Sequence, residues 1–192
     1  KTLAFALPLV ELLGNASSRR GSSVSALVLV PTRELAAQVG GVFEDLARGL
    51  RRPFAVRVAH GGTSINTQML SLRGGADVLV ATPGRLLDLA SRNAARLGSL
   101  RFLVLDEADK MLDLGFSEEL SAVLALLPPR RQTLLFSATL SGKLEDVAAA
   151  ALRDPEQIAV DEIGGAASGA AHGAPEAAAG PDSAPAALPE GK

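Results

Sequence analysis

Two short polar segments each follow an apolar run, at positions where strands would end. Asp106-Glu107-Ala108-Asp109 comes directly after residues 102–105, and Ser137-Ala138-Thr139 comes after residues 134–136. Adjacent carboxylates at the end of a buried strand can serve a hydrolytic reaction, because one can hold Mg²⁺ while the other acts on a water. The number of residues between the two polar segments fits one strand–helix–strand crossover. We therefore expect both segments at the carboxyl ends of neighbouring parallel strands, roughly 5 Å apart.

Lys1 and Thr2 have the residue types that close a phosphate-binding loop. In such a loop the lysine reaches the β- and γ-phosphates of a nucleotide, and the threonine hydroxyl holds Mg²⁺. The pair alone carries no information; it gains significance because a predicted helix follows at once and the carboxylate strand lies downstream. The glycines of the loop are missing and the first residue is not Met, so we expect a nucleotide-hydrolysing domain cut at its front edge.

Two further segments place a threonine beside a proline where a predicted strand gives way to a predicted helix. They are Pro31-Thr32-Arg33 and Thr82-Pro83-Gly84-Arg85. Thr82 can cap its helix, and Pro83 suits the first helical position. Such a helix start attracts phosphate and an arginine there adds a full charge, although ordinary capping is the alternative for either segment. Gly61-Gly62 either lets the backbone approach a ligand closely or only turns the chain.

The composition narrows the classes of ligand and location. The chain has no Trp, no Tyr and a net charge of −2, so it offers neither an aromatic stacking platform nor a broad basic footprint for nucleic acid. A polyanion must then be held by local devices such as helix starts and single arginines. The absence of cysteine excludes disulfides and cysteine metal sites and fits a cytoplasmic protein. No apolar run reaches the ~18 residues of a membrane span, so no membrane partner is expected.

Strands and helices alternate along the chain, which predicts an α/β domain with a parallel sheet and helices on both faces. The 192 residues, 47% of them hydrophobic, suffice for one such core and a tail. The predicted strands are residues 26–30, 54–59, 77–81, 102–105, 132–136 and 157–160. The predicted helices are residues 2–13, with a kink or break at Pro8, then 33–50, 65–72, 83–92, 118–127 and 141–152.

The last part of the chain has a different composition. From Gly164 onward Ala, Gly and Pro dominate, with almost no large apolar side chain. Such a segment cannot bury enough surface to offset its loss of conformational entropy, so we expect it to be disordered. We therefore divide the chain into a domain at residues 1–161 and an Ala/Gly/Pro-rich tail or linker at residues 162–192. A natural linker, an engineered tail and an unusual insertion stay open as alternatives.

Taken together, these motifs resemble the first RecA-like domain of the DEAD-box RNA helicases, a branch of superfamily two. The similarity runs from Lys1 to about Asp161, and longer stretches such as LVLVPTRELAAQV are similar to bacterial members of the RhlE type. Ordered motifs at sensible spacing are a specific signal. In family order they are the end of the Walker A motif, PTRELA at 31–36, GG at 61–62, TPGR at 82–85, DEAD at 106–109 and SAT at 137–139.

The resemblance implies a RecA-like P-loop fold that lacks its first strand, with ATP and Mg²⁺ as cofactors and Asp106 and Glu107 as the catalytic pair. Thr2 and Asp106 would hold Mg²⁺, partly through water, and Glu107 would orient or deprotonate the attacking water. The nucleotide would be bound by Lys1, Thr2, Asp106 and Glu107. Its state would be coupled to RNA binding by Asp109, Ser137 and Thr139. The RNA backbone would be contacted, without sequence preference, by Thr32, Arg33, Gly62, Thr82, Gly84 and Arg85.

The chain also departs from the family pattern. It lacks the glycines of the phosphate loop, the strand before it, the upstream glutamine motif that reads adenine, and the second RecA-like domain with its arginine finger. The resemblance implies an enzyme that couples ATP hydrolysis to local unwinding of RNA duplexes or remodelling of RNA–protein complexes. This fragment alone is expected to be inactive. Two alternatives stay open: a nucleotide-gated RNA-binding clamp or scaffold, and a P-loop ATPase that acts on DNA.

Overall fold

The computed structural model describes residues 1–15, 23–50, 54–139 and 142–160. Lys1–Pro155 form one compact unit, and the second unit, Glu156–Lys192, is described only at residues 156–160. The strands are β1 (Val24–Leu29), β2 (Val56–Ala59), β3 (Ala76–Ala81), β4 (Phe102–Leu105) and β5 (Gln132–Leu135). The helices are α1 (Thr2–Asn15), α2 (Arg33–Arg48), α3 (Ile65–Leu72), α4 (Pro83–Ser91), α5 (Ala108–Asp113), α6 (Ser117–Leu126) and α7 (Gly142–Ala151). The expected disorder of residues 162–192 falls outside the described residues.

The strands form one sheet in the order β2-β3-β1-β4-β5. Every pair is parallel, which confirms the predicted architecture. The last residues of neighbouring strands are in register: Ala59 pairs with Ala81, Ala81 with Leu29, Leu29 with Leu105, and Leu105 with Leu135. All the carboxyl ends therefore meet at one edge of the sheet, where open α/β sheets bind ligands.

The two faces of the sheet present different side chains. Successive residues of a strand point to opposite faces, and here leucines and valines alternate. The cluster that includes α3 to α7 receives Leu27, Leu29, Leu79, Leu103 and Leu105. The cluster that includes α1 and α2 receives Val28, Val78, Val80 and Val104. Because both faces are covered, the strands read as continuous apolar runs, as the sequence predicts.

The helices of the valine face pack closely on the sheet. A Cβ at Gly40 in α2 would overlap Cγ2 of Val58 in β2, so glycine permits this approach. Phe5 of α1 lies with its ring centroid 6.2 Å from that of Phe43 and 5.3 Å from that of Phe136. These contacts tie α1 to α2 and to the residue that follows β5.

The structure differs from the sequence prediction at three places. α1 runs without a break from Thr2 to Asn15 with Pro8 inside it. α5 was not predicted, because its six residues are too short to show a helical period. Residues 157–160 form no strand, and Ile158 and Val160 are exposed; β-branched side chains do not make a strand without a paired neighbour.

β5 forms one edge of the sheet, and three of its four residues are only partly buried, whereas its neighbour β4 is buried along most of its length.

Among the helices that the structure describes, none is long and apolar enough to cross a membrane.

Candidate functional site

Asp106 stands at the end of β4 and is almost fully buried, with 4% of its surface exposed. Its backbone N–H donates to Leu29 O at 3.0 Å, which extends the sheet by one residue. Burial raises the pKa of the Asp106 carboxyl, and the neighbouring charge of Glu107 raises it further, while Lys1 opposes the shift. A buried carboxylate in this position would be stabilised by a cation.

Glu107 adopts a left-handed backbone, with φ 53° and ψ 50°, at the start of α5. This conformation costs a residue with a side chain roughly 1–2 kcal/mol, and such strain concentrates at functional sites. Lys110, one helical turn later, places Nζ 3.0 Å from Glu107 Oε2. The sequence analysis missed Lys110, although its spacing of three residues is the signal for such a pair on a helix.

Asp109 links the two polar segments. Its Oδ2 accepts from Ala138 N at 3.1 Å, from Thr139 N at 3.2 Å and from Thr139 Oγ1 at 3.1 Å. Ser137 Oγ donates to Thr139 O at 2.7 Å, which closes the turn after β5. Burial raises the pKa of Asp109, but the hydrogen bonds from Lys110 N, Thr139 and Ala138 outweigh it and hold this pKa below its ordinary value. The two segments therefore meet, as their spacing predicts.

A cavity of about 200 Å³ brings Lys1 together with Asp106, Glu107, Asp109 and Lys110. Thr2, the first residue of α1, is half-buried and does not line this cavity. The volume is below the ~300–1,000 Å³ of pockets that enclose whole drug-sized ligands. A cavity of this size has room for a small polar group such as a phosphate or a hydrated cation.

The donor set of this cavity suits one kind of metal. Within the residues that the structure describes, no three carboxylate or imidazole groups converge on a point. A cation here would be held by one or two protein oxygens and would keep most of its water. Mg²⁺ binds in this way, through one or two carboxylates together with substrate phosphates.

Thr32 and Thr82 occupy matching positions but use their side chains differently. Thr32 is the N-cap of α2, and its Oγ1 accepts from Leu35 N at 3.2 Å. Thr82 is the N-cap of α4, with Pro83 at the first helical position, yet its side chain makes no capping hydrogen bond. The Thr32 hydroxyl therefore caps its helix in the ordinary way, whereas the cap expected from Thr82 is not found.

Gly62 brings the turn after β2 against Arg33. Its φ is 83°, a conformation that favours glycine, and a Cβ placed there would lie 3.2 Å from Arg33 Nη1. The exposed Arg33 pairs with Glu34, and this contact raises the pKa of Arg33 and lowers that of Glu34. An anion at this arginine competes with Glu34, a residue that sequence analysis did not single out.

Gln68 joins the turn after β2 to the start of α4. Its Nε2 donates to His60 O at 3.0 Å and to Thr63 Oγ1, while its Oε1 accepts from Arg85 Nη1 at 3.2 Å. Arg85 Nη1 also donates to Thr63 O at 3.1 Å, and Arg85 Nε lies 3.8 Å from Asp88 Oδ2. Gln68 was not predicted from the sequence, because it is one of several polar residues of α3 and nothing in the pattern distinguishes it.

An all-parallel α/β sheet with carboxylates at its carboxyl edge is the arrangement of a P-loop-type nucleotide hydrolase. The fold matches solved RecA-like domains. The yeast DEAD-box splicing factor Prp28 is similar with a TM-score of 0.74 and 34% identity, over 79% of this chain and 37% of that one. A DEAD box protein from Methanococcus jannaschii is similar with a TM-score of 0.71 and 34% identity, over 80% of this chain and 40% of that one.

The chain belongs to the DEAD/DEAH box helicase family, whose model matches residues 1–147. It is 42% identical over 161 residues to the DEAD-box ATP-dependent RNA helicase CshA of Streptococcus pneumoniae, covering 83% of this chain and 29% of that protein. It is 46% identical over 161 residues to the ATP-dependent rRNA helicase RRP3 of Pyricularia oryzae, with the same coverage. The chain thus spans less than a third of these relatives. Because bacterial and fungal relatives match alike, the RhlE type stays a prediction.

Proposed function

We propose that this chain is the ATP- and RNA-binding part of an RNA helicase that couples ATP hydrolysis to local duplex unwinding or to remodelling of RNA–protein complexes. The observation that carries the proposal is how the strand order sorts the motifs. On one side of β1, strands β4 and β5 lead into residues 106–109 and 137–139. On the other side, β2 and β3 lead into residues 61–62 and 82–85, and β1 leads into Thr32 and Arg33. Hydrolytic and anion-binding residues thus share one edge about 20 Å long.

The carboxylate half of this edge carries out hydrolysis. Glu107 orients and deprotonates the attacking water, and its left-handed backbone fixes the direction of the carboxylate. Lys1, which shares the cavity with both carboxylates, reaches the phosphates. Asp106 would hold Mg²⁺, partly through water, and the ion would supply charge neutralisation at the reacting phosphate. Thr2 stays a predicted second ligand, since it follows Lys1 directly but does not line the cavity. The raised pKa of Asp106 is consistent with this role, because a cation offsets the cost of burying its charge.

Asp109, Ser137 and Thr139 couple hydrolysis to the rest of the domain. Asp109 lies two residues after Glu107 and accepts hydrogen bonds from Ala138 and Thr139. A shift at the carboxylates when the γ-phosphate leaves therefore moves the turn after β5 as well. Such a linked pair of segments is the physical element that a nucleotide-dependent change requires.

The half of the edge formed by the ends of β1, β2 and β3 contacts the RNA backbone. The contacting residues are Thr32, Arg33, Gly62, Thr82, Gly84 and Arg85. The N–H groups at the starts of α2 and α4 and the two arginines supply local positive charge. Gly84 supports this role, because a Cβ there would meet open space and its φ is not positive. The protein's own packing does not require glycine at this position, whereas the close approach of a sugar–phosphate chain does. Contacts of this kind are indifferent to base sequence.

The matched relatives are about three times longer than the part that this chain covers. We infer that a second RecA-like domain is the partner of this one and closes over ATP and RNA.

The test uses the full-length protein, a labelled oligouridine, DNA of the same sequence and an RNA duplex with a single-stranded overhang. We expect tight RNA binding that depends on ATP, weak competition by DNA, and strand separation that Glu107→Gln abolishes. Equal competition by DNA would indicate an ATPase that acts on DNA. ATP-dependent RNA binding without strand separation would indicate a clamp, and RNA binding that ignores ATP would contradict the coupling proposed here.

A further inference from the structure

Gln68 is one of two polar side chains that are buried within the described residues; the other is Asp106. It lies on α3, where it has 7% of its surface exposed and, with Leu72, forms the buried part of the helix. A buried amide is tolerated only when its hydrogen-bonding groups are paired. The side chain of Gln68 meets this condition through contacts that all lead to the proposed RNA-binding edge.

The amide of Gln68 holds two separate segments in one geometry. On one side, Nε2 donates to the backbone oxygen of His60 and to the side-chain hydroxyl of Thr63, the two residues that flank the Gly61-Gly62 turn. On the other side, Oε1 accepts from Arg85 Nη1. The same Nη1 donates to Thr63 O, so the guanidinium is bound to this turn directly and also through Gln68.

The Arg85 side chain is consequently placed before any ligand arrives. Only 13% of it is exposed, Nη1 is engaged by Gln68 and Thr63, and Nε faces Asp88. Nη2 makes no hydrogen bond to the residues that the structure describes. This leaves one donor group for a phosphate, at a direction that the network sets. An arginine held in this way loses little rotamer freedom when it binds.

We propose that Gln68 is a positioning residue that makes Arg85 and the Gly61-Gly62 turn a single, preformed phosphate-binding unit. The proposal rests on the RNA-binding role given above to Arg85 and Gly62. Gln68 itself touches no RNA; it acts through Arg85.

The competing explanation is that Gln68 only stabilises the packing of α3. A double-mutant cycle separates the two explanations, because a residue that acts through Arg85 loses its effect on RNA binding when Arg85 is absent. Gln68→Met keeps the length of the side chain and removes its hydrogen bonds. Ser71→Ala is the matched control, since Ser71 Oγ donates to Gln68 O on the same helix and does not contact Arg85.

The measurement is the affinity of the full-length protein for labelled oligouridine, with melting recorded for each variant. We expect Gln68→Met to weaken binding about tenfold in the wild-type background, equivalent to about 1.4 kcal/mol, and less than about twofold in Arg85→Ala. Ser71→Ala should bind like the wild type. Gln68→Asn is the alternative variant if Gln68→Met does not fold, because the asparagine side chain is too short to reach both the turn and Arg85. Its effect on RNA binding should depend on Arg85 in the same way.

Three results would overturn the proposal. An equal loss in both backgrounds would mean that Gln68 acts on stability alone. A Gln68→Met protein that binds like the wild type, while Arg85→Ala binds weakly, would mean that Arg85 needs no positioning, and the proposed RNA-binding role would stand. If Arg85→Ala itself binds RNA with wild-type affinity, the role proposed for Arg85 fails and the proposal for Gln68 falls with it.

Discussion

The left-handed backbone of Glu107 allows strain and chemistry to be separated by two substitutions. Glu107→Gln keeps a side chain with the same backbone preference, whereas Glu107→Gly removes the steric conflict at φ 53°. Both lose the negative charge that pairs with Lys110 Nζ, but the glutamine amide oxygen can still accept a hydrogen bond from Lys110, which glycine cannot. Because this contact is exposed and contributes little, the difference in stability between the two variants reports mainly the backbone.

The expected magnitude follows from that comparison. Glycine adopts the left-handed conformation without the steric cost, which raises the free energy of unfolding by roughly 1–2 kcal/mol. The greater conformational freedom of glycine in the unfolded chain lowers it again by about 0.5–1 kcal/mol. Glu107→Gly should thus be more stable than Glu107→Gln by about 0.5–1 kcal/mol, a rise in Tm of about 1–4 °C for a domain of this size. Both variants should hydrolyse ATP at least ~10²-fold more slowly than the wild type while still binding it.

The test is thermal melting and urea unfolding of the two variants, beside a steady-state ATPase assay of the same variants in the full-length protein. A Glu107→Gly protein that melts at or below the temperature of Glu107→Gln would refute the assignment of strain to this residue. Wild-type turnover by Glu107→Gln would refute its assignment as the base, whatever the melting temperatures show.

Three further predictions concern the other groups at this edge. Arg33→Ala should weaken binding of all single-stranded RNA sequences alike and reduce the slope of affinity against salt by about one, as measured by anisotropy titrations; loss for one sequence only would point to base readout. Gly62→Ala should lower Tm by a few degrees through roughly 1–2 kcal/mol of backbone strain and weaken RNA binding, because the new Cβ displaces Arg33; unchanged binding would separate the turn from the RNA site. The depressed pKa of Asp109 contributes stability that is complete above the unfolded pKa of about 3.9 and is lost as pH falls through the lower folded value. The stability gap between wild type and Asp109→Asn should therefore be largest near neutral pH and shrink below about pH 4, and a gap independent of pH in urea unfolding would count against the network around Asp109.

Much of the fold follows from sequence because the strands are short, apolar and separated by helices. The order of motifs then places residues 106–109 and 137–139 together, since parallel strands end at one edge. The sequence therefore predicts that these polar residues lie at the carboxyl edge of the sheet. The sorting of the motifs into two halves was not predicted, because strand order depends on how crossovers pack in space.

The residues that sequence reasoning missed are defined by contacts rather than by patterns. Thr32 and Thr82 look alike in the sequence, yet only Thr32 caps its helix. In the sequence, Gln68 is only a polar residue of a short helix. Its importance is evident from its hydrogen bonds to His60, Thr63 and Arg85, which only the structure shows. The positive φ of Glu107 has no local signal either, because glutamate rarely adopts it and tertiary packing imposes it.

The exposed position of β5 has a practical consequence for anyone who purifies this protein. On its outer side, no strand among the described residues pairs with Gln132–Leu135, so its N–H and C=O groups form a template for strands of other molecules. The segment carries no charged side chain that would repel such a neighbour. Light scattering should reveal concentration-dependent association of the isolated chain, and a lysine in place of Thr133 should reduce it.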